Sequence, residues 1–186
     1  ILITESNPVA GCQPLNLQIN PSEESLHIDH VVWNVSGIGI IVSDSLNIEL
    51  HQPGVYDVAA TAVSEHGCTS DAFFEEIAEV YPYPTAYFTL SPNSLTTLQP
   101  EVEFTNHSVG ANSYYWNFSG LDVSTDANPV YSFPNETSNS FTICLIAANN
   151  FGCHDTTCRS VYMDAEYVVF APNAFTPNND NDNDYW

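Results

Sequence analysis

The residues in this chain best suited to chemistry are five cysteines, a run of alternating carboxylates, two close histidines and two adjacent tyrosines. Asp180-Asn181-Asp182-Asn183-Asp184 sets an acid at every second position, the spacing that lets a loop wrap hard oxygen ligands around Ca²⁺. A full loop of that kind also uses a glycine and a distal bidentate glutamate, and neither is visible. Asp180, Asp182 and Asp184 therefore have two readings, a calcium loop and a polar turn, and no other cofactor is called for. His27 and His30 would share a metal only from one helical turn, whereas the residues around them read as loop into strand, which leaves them structural or solvent-facing. Tyr114 and Tyr115 precede Trp116. Neighbours along a strand face opposite sides, so the two tyrosines cannot both point inward, and one is placed for stacking on a sugar ring.

The cysteines have no C-x-x-C spacing, which disfavours structural zinc and points to disulfides in an oxidising exterior. Cys144 and Cys158 are equidistant from Phe151, and Asn150-Phe151-Gly152 reads as a hairpin turn, so the two should face each other across it. Closing that loop contributes about 3 kcal/mol in the chain-entropy model. For the rest, the internal repeat described below aligns Leu98 with Cys12 and Cys153 with Cys68. That pairs Cys12 with Cys68, a longer loop worth on the order of 4 kcal/mol, and leaves Cys153 alone. A catalytic Cys153 beside His154 would need a base held in a pocket, which adjacency on a hairpin does not supply.

These residues are carried on short alternating segments. Val31-Val32-Trp33-Asn34-Val35-Ser36-Gly37 recurs as Tyr114-Tyr115-Trp116-Asn117-Phe118-Ser119-Gly120, and Gly67-Cys68 recurs as Gly152-Cys153. The spacing of 83 residues between Trp33 and Trp116 implies two copies of one module. Leu15 to Ile19 and Leu46 to Leu50 alternate apolar and polar residues strictly, as half-buried strands do. Longer strands are expected from Tyr56 to about Ser64, Ala72 to Val80, Phe141 to Ala148 and Cys153 to Met163, and shorter ones at Ala86 to Leu90, Glu101 to Phe104 and Pro129 to Phe133. Phe73 to Val80 taken alone could also pass for a short helix. Tyr81-Pro82-Tyr83-Pro84 reads as a stiff linker, because alternate prolines cannot sit in a central strand. Many short strands with turns every eight to twelve residues predict an all-β chain of two tandem β-sandwiches, with Trp33 and Trp116 in their cores.

Composition narrows the function. Of 186 residues, 23 are Asp or Glu and one, Arg159, is Lys or Arg, for a formal charge of −22. Binding to nucleic acid or to an anionic membrane surface relies on basic residues, so both are excluded as partners. No run reaches the roughly twenty apolar residues of a membrane helix, and neither terminus resembles a signal peptide. The chain opens mid-strand at Ile1-Leu2-Ile3, the expectation for a piece of a longer protein. No Gly-x-Ser-x-Gly, phosphate loop or His-Glu-x-x-His is present, so an enzyme is not expected.

Phe104-Thr105-Asn106-His107-Ser108, Tyr115-Trp116-Asn117-Phe118, Asn128-Pro129-Val130-Tyr131-Ser132-Phe133 and Asn149-Asn150-Phe151-Gly152-Cys153-His154-Asp155 together resemble polycystic-kidney-disease (PKD) domains, which are immunoglobulin-like sandwiches of surface proteins. The resemblance covers about 83–164 well and 1–82 more loosely, through Trp33, Pro53-Gly54-Val55-Tyr56-Asp57-Val58 and Gly67-Cys68. Both copies show Ser-Gly where the family usually has Gly-Asp-Gly after the tryptophan strand. The tail from Tyr167 to Asp180, with Pro172, Asn173, Ala174, Phe175, Thr176 and Pro177 at its centre, resembles the opening of the gliding-motility-associated C-terminal domain of Bacteroidetes proteins. Asn179 and Asn181 replace glycines usual in that family.

These resemblances imply a division into 1–82, a divergent PKD-like sandwich; 83–164, a PKD-like sandwich; and 165–186, the start of a type B sorting domain. They further imply export across the outer membrane by the type IX secretion machinery, contacted through that C-terminal domain, and display at the bacterial cell surface. The expected role is a non-catalytic stalk, in a gliding-motility adhesin whose partners are surface polysaccharide or other surface proteins. The alternative is a carbohydrate-binding or spacer module of a secreted polysaccharide-degrading enzyme, acting through Tyr114 or Tyr115.

Overall fold

The computed structural model describes residues 8–21, 28–135 and 138–166. Fifteen strands follow in order: β1 (Val9–Cys12), β2 (Leu15–Ile19), β3 (Ile28–Val35), β4 (Gly39–Ser43), β5 (Leu46–Leu50), β6 (Gly54–Ser64), β7 (Thr69–Tyr81), β8 (Phe88–Ser91), β9 (Leu95–Thr96), β10 (Glu101–Asn106), β11 (Ser113–Phe118), β12 (Val123–Ser124), β13 (Val130–Ser132), β14 (Asn139–Ala148) and β15 (His154–Asp164). The segment with two readings, Phe73 to Val80, lies wholly in strand β7. The short strands β9 and β12 have no signature in the sequence, being too brief to alternate.

The chain forms two tandem immunoglobulin-like β-sandwiches. In the first, the sheet β1-β7-β6-β3-β4 packs on the pair β2-β5; in the second, β12-β11-β14-β15-β9 packs on β13-β10-β8. Alternation explains the packing: Leu17 and Ile19 of β2, Leu46 and Leu50 of β5, and Val31, Trp33 and Val35 of β3 all enter one buried core. The second core is more aromatic, with Phe88, Phe104, Trp116, Phe118, Phe133 and Phe141. Phe88 meets Trp116 edge to face at 5.1 Å between centroids, and Phe104 packs on both Trp116 and Phe118. The aromatics supply large apolar area and orient one another through their ring quadrupoles.

Both tryptophans are fully buried and satisfy their indole N–H in the same way. Trp33 Nε1 donates to the carbonyl of Ser43 at 3.1 Å, and Trp116 Nε1 donates to that of Asp126 at 2.9 Å, each ten residues onward. A buried donor without a partner costs free energy comparable to a lost hydrogen bond; the end of the returning strand β4 supplies the acceptor for Trp33, and the loop just past β12 supplies it for Trp116. Arg159, the sole Lys or Arg, spends its charge on rings: its guanidinium lies 5.3 Å from the Tyr87 centroid and 5.8 Å from that of Phe88.

In each sandwich a short edge strand of the large sheet, β1 or β9, runs parallel to that sandwich's final strand, β7 or β15. Val9 to Cys12 pairs with Ala78 to Tyr81, and Leu95-Thr96 pairs with Met163-Asp164. This parallel pairing brings Cys12 beside Tyr81, where the chain leaves the first sandwich.

Candidate functional site

At that exit, three short pieces of chain converge: the end of β1, the linker after β7, and the hairpin turn between β14 and β15. The N–H of Gln13 donates to the carbonyl of Tyr81 at 3.1 Å, tying the end of β1 to the start of the linker. The hairpin turn is shaped by Asn149 and Gly152. Gly152 has φ +83°, a left-handed conformation that only glycine adopts without cost. The Asn149 N–H donates to the Cys153 carbonyl at 2.9 Å, and Asn149 Oδ1 accepts from the N–H groups of Phe151 and Cys153, both at 3.1 Å.

The turn then reaches the linker and the end of β1 by three different interactions. Asn149 Nδ2 donates to the Pro82 carbonyl at 2.9 Å. The Phe151 ring stacks on Tyr81, with centroids 4.2 Å apart and planes 13° from parallel. Cys153, fully buried, forms a disulfide with Cys12, their Cα atoms 5.7 Å apart. Just beyond, Asp155 Oδ2 accepts from the N–H of Ala86 at 2.7 Å, holding the far end of the linker to β15. One covalent bond, one stacked pair and the Asn149–Pro82 hydrogen bond thus join the sandwiches, and the Ala86–Asp155 bond fixes the far end of the linker to the second one.

This arrangement corrects the expected cysteine pairing. Cys12 bonds Cys153 of the other sandwich rather than Cys68 of its own, and Cys153 is not the unpaired cysteine. The physical reason is the parallel β1–β7 pairing, which places Cys12 at the exit end of the first sandwich, while Cys68 follows the β6–β7 turn. Cys68 is exposed and carries the free thiol. Cys144 and Cys158 occupy opposed positions of β14 and β15 and are bonded, with Cα atoms 4.1 Å apart. A nucleophilic Cys153 is overturned by the same finding, since its sulfur is consumed in the bridge.

The tyrosine pair is split between faces. Tyr114 turns inward against the aromatic core, its hydroxyl donating to the Ala111 carbonyl at 3.3 Å. Tyr115 is 42% exposed on the opposite face, in register with Ile146. The two therefore do not form one platform. His30 lies on β3, its Nδ1 2.8 Å from Asp29 Oδ2, while His27 falls outside the described residues. Also outside them are the acidic run Asp180, Asp182 and Asp184 and the motif Pro172, Asn173, Ala174, Phe175, Thr176 and Pro177. Among the described residues, no group of three or more His, Cys, Asp or Glu is placed to hold a metal ion, and no helix is long and apolar enough to cross a membrane.

The joint itself was not legible as a site, although two signals mark it. Phe151 is a large apolar residue on a tight turn, where it finds no core of its own, and Tyr81-Pro82-Tyr83-Pro84 puts aromatic rings on a stiff connector.

No family model matches the chain, and no curated protein does. Among solved structures it is similar to the PKD1 domain of the Vibrio cholerae metalloprotease PrtV, at 28% identity over 44% of this chain and 98% of that one, with TM-score 0.38. It is also similar to the PKD1 domain of Vibrio anguillarum Epp, at 24% identity over 45% of this chain and 96% of that one, TM-score 0.38. The fibronectin(III)-like modules of Clostridium thermocellum CbhA align at 15% identity over 91% of this chain and 96% of theirs, TM-score 0.37.

Proposed function

We propose that this chain is a non-catalytic extracellular spacer, a pair of sandwiches held at a fixed angle so that what lies on either side of it is kept apart. The observation that carries this reading is the Cys12–Cys153 bond between the two sandwiches, closed over the Tyr81–Phe151 stack. A linker free to swing would need neither. Disulfides persist in oxidising compartments, and a charge of −22 with one basic residue favours a soluble, mutually repelling surface over association.

In the fuller form of the proposal, residues 165–186 open a type B sorting domain that hands the protein to the type IX secretion machinery, and the parent protein is a gliding-motility adhesin. The resemblance of Tyr167 to Asp180 to that domain supports this part. Surface labelling of intact cells that make the parent protein, with and without the segment from Ala165 onward, tests it. Loss of labelling with accumulation inside the outer membrane is the expected result; undiminished labelling removes the sorting role. The spacer reading is tested separately by small-angle scattering on the oxidised chain and on C12S. A broadened distance distribution in C12S is expected, and identical curves would reject the joint as a brace.

A second reading, a carbohydrate-binding module, is favoured by the exposed Tyr115 ring on an outer sheet face. Binding on a broad glycan array that is abolished by Tyr115→Ala would promote it, and an empty array would remove it.

A further inference from the structure

Strand β4 is the outer edge of the first large sheet, paired on one side with β3 and, among the described residues, with no strand on the other. An open edge presents unpaired N–H and C=O groups to any chain that can lie alongside, and proteins usually blunt it with charge, proline or brevity. The second sandwich does so: β12, which stands beside its tryptophan strand as β4 stands beside Trp33, is two residues long and lies between Asp122 and Asp126. None of these devices protects β4. It is five residues long, and no charged residue or proline occurs from Val31 to Ser43.

The edge is also apolar on its outer face. Ile40 and Val42 are 70% and 61% exposed, and Ile38 just before the strand is 50% exposed, while Ile41 packs on the core. Single exposed apolar residues are ordinary, but three at alternate positions along one unpaired strand make a continuous strip. The strand is its own complement. Laid antiparallel on a second copy with Ile41 opposite Ile41, it sets Ile40 against Val42 twice and Gly39 against Ser43 twice. Cross-strand pairs of β-branched residues stabilise such a ladder, and Asp44, the acid that follows β4, falls opposite Ile38 rather than another carboxylate.

We propose that β4 is a homotypic docking edge, at which two copies of this chain join their first sandwiches into one continuous antiparallel sheet. Strand direction fixes the arrangement. β7 runs toward the linker, β6 and β3 reverse in turn, and β4 therefore runs away from the second sandwich. Two antiparallel β4 strands are related by a two-fold axis, so the second sandwiches project at opposite ends and the paired chains approach from opposing directions. This geometry limits the repulsion between two chains of charge −22. Contact is made at an uncharged strand, and the second sandwiches lie at opposite ends of the joined sheet, beyond the Debye length of about 8 Å at physiological ionic strength. The repulsion that remains leaves a weak contact, at the small end of interface size, which strengthens as salt rises. The proposal goes beyond the spacer reading and does not depend on the Cys12–Cys153 brace.

The test is sedimentation equilibrium of the chain as C68S, which removes the free thiol, in sodium chloride at about 0.1 M and about 1 M, where the Debye length falls from about 10 to 3 Å. The expected result is a reversible monomer–dimer equilibrium that tightens in the higher salt and is weakened about tenfold or more by Val42→Lys, which opposes two new like charges across the joint. Because Val42→Lys makes the chain less negative, relief of general repulsion alone predicts the opposite change. Val123→Lys, the same charge change on the second sandwich, should leave the equilibrium as it was. Amide hydrogen exchange of residues 39–43 in C68S should slow as concentration rises, a readout that does not depend on how the lysine variants fold. A monomer in both salts, a dimer that dissociates in the higher salt, equal effects of Val42→Lys and Val123→Lys, or protection confined to other strands would each overturn the proposal.

Discussion

Tyr81 and Phe151 stack almost parallel across the junction of two sandwiches, their ring centres 4.2 Å apart. Neither ring belongs to either hydrophobic core. Their contact is an interface in miniature, and its energy is spent on the angle between modules. Aromatic pairs of this kind are worth about 0.5–1.5 kcal/mol beyond area burial. Phe151→Ala is expected to leave the unfolding midpoint of the oxidised chain nearly unchanged. In a C12S background it should widen the spread of inter-module orientations read by residual dipolar couplings. Unchanged couplings in that background would show that the stack does not orient the modules.

The inter-module disulfide closes a loop with a sequence separation of 141. In the chain-entropy model its removal costs up to about 5 kcal/mol when both sandwiches unfold together. Urea titration of C12S should show a loss of that order, and C68S a change within about 0.5 kcal/mol, as for a surface position. Equal losses in C12S and C68S would restore the pairing of Cys12 with Cys68.

Trp33→Phe and Trp116→Phe each remove an indole N–H and leave a carbonyl, of Ser43 or of Asp126, without its donor. The unpaired carbonyl alone costs about 1–3 kcal/mol, and truncation to Ala about 3–5 kcal/mol. Chemical denaturation should place the two Phe variants within 1 kcal/mol or so of each other, because the two sites share one design. A variant with wild-type stability would refute that bond's contribution.

Arg159→Met removes the only guanidinium while keeping an apolar stem over Phe88. The lost contact with the exposed Tyr87 ring is worth about 0.5–1 kcal/mol, so a drop of that size is expected on thermal unfolding. A gain in stability would show that the ring contact does not offset the ordering of the arginine.

Two tyrosines are set apart by acid neighbours. The Tyr81 hydroxyl donates to Glu79 Oε2 at 3.0 Å. That bond first, then burial, then the carboxylate charge, raises its pKa above the ordinary 10.0. Tyr131 is raised by burial and then by Asp122. A raised tyrosine favours its neutral form in the folded state, so the stabilisation is fully present below about pH 10 and is lost as pH rises from there through the folded pKa. Carbon-13 NMR of the ring Cζ atoms should find these two ionising at higher pH than in an unfolded peptide. Glu79→Gln should lower Tyr81 and leave Tyr131 in place; no movement of Tyr81 would exclude Glu79 as the cause.

Much of the fold is legible in the chain because its information is local. Leu15 to Ile19 alternates strictly and forms β2 with Leu17 and Ile19 inside; the echo around Trp33 and Trp116 marks two equivalent strands. The pairing of Cys12 is not local. The repeat alignment equates Cys153 with Cys68, which do occupy like turns, but sets Leu98 against Cys12 where strand register puts Thr96, and in any case the partner of a position at a module's exit belongs to the next module. Alternation along a strand says which side a residue faces, and nothing about which neighbour docks at the strand's end. Tyr114 and Tyr115 are by contrast a local case: period two sets them on opposite faces, and Tyr114, two residues before Trp116, shares its core face.

The bridge from residue 12 to residue 153 also decides how the chain would bear load. Tension entering along β1 has a direct covalent route from Cys12 into β15 and out toward Asp164, so residues 13–152 hang in a loop outside the force path. At about 3.6 Å per extended residue, that shelters roughly 500 Å of contour length from being drawn out. While the bridge holds, a pull on the two ends can lengthen the tether only through the short stretches outside the loop; once this sulfur–sulfur bond opens, the hidden length comes under load and is drawn out as each sandwich unfolds, except for the loop that Cys144–Cys158 keeps closed.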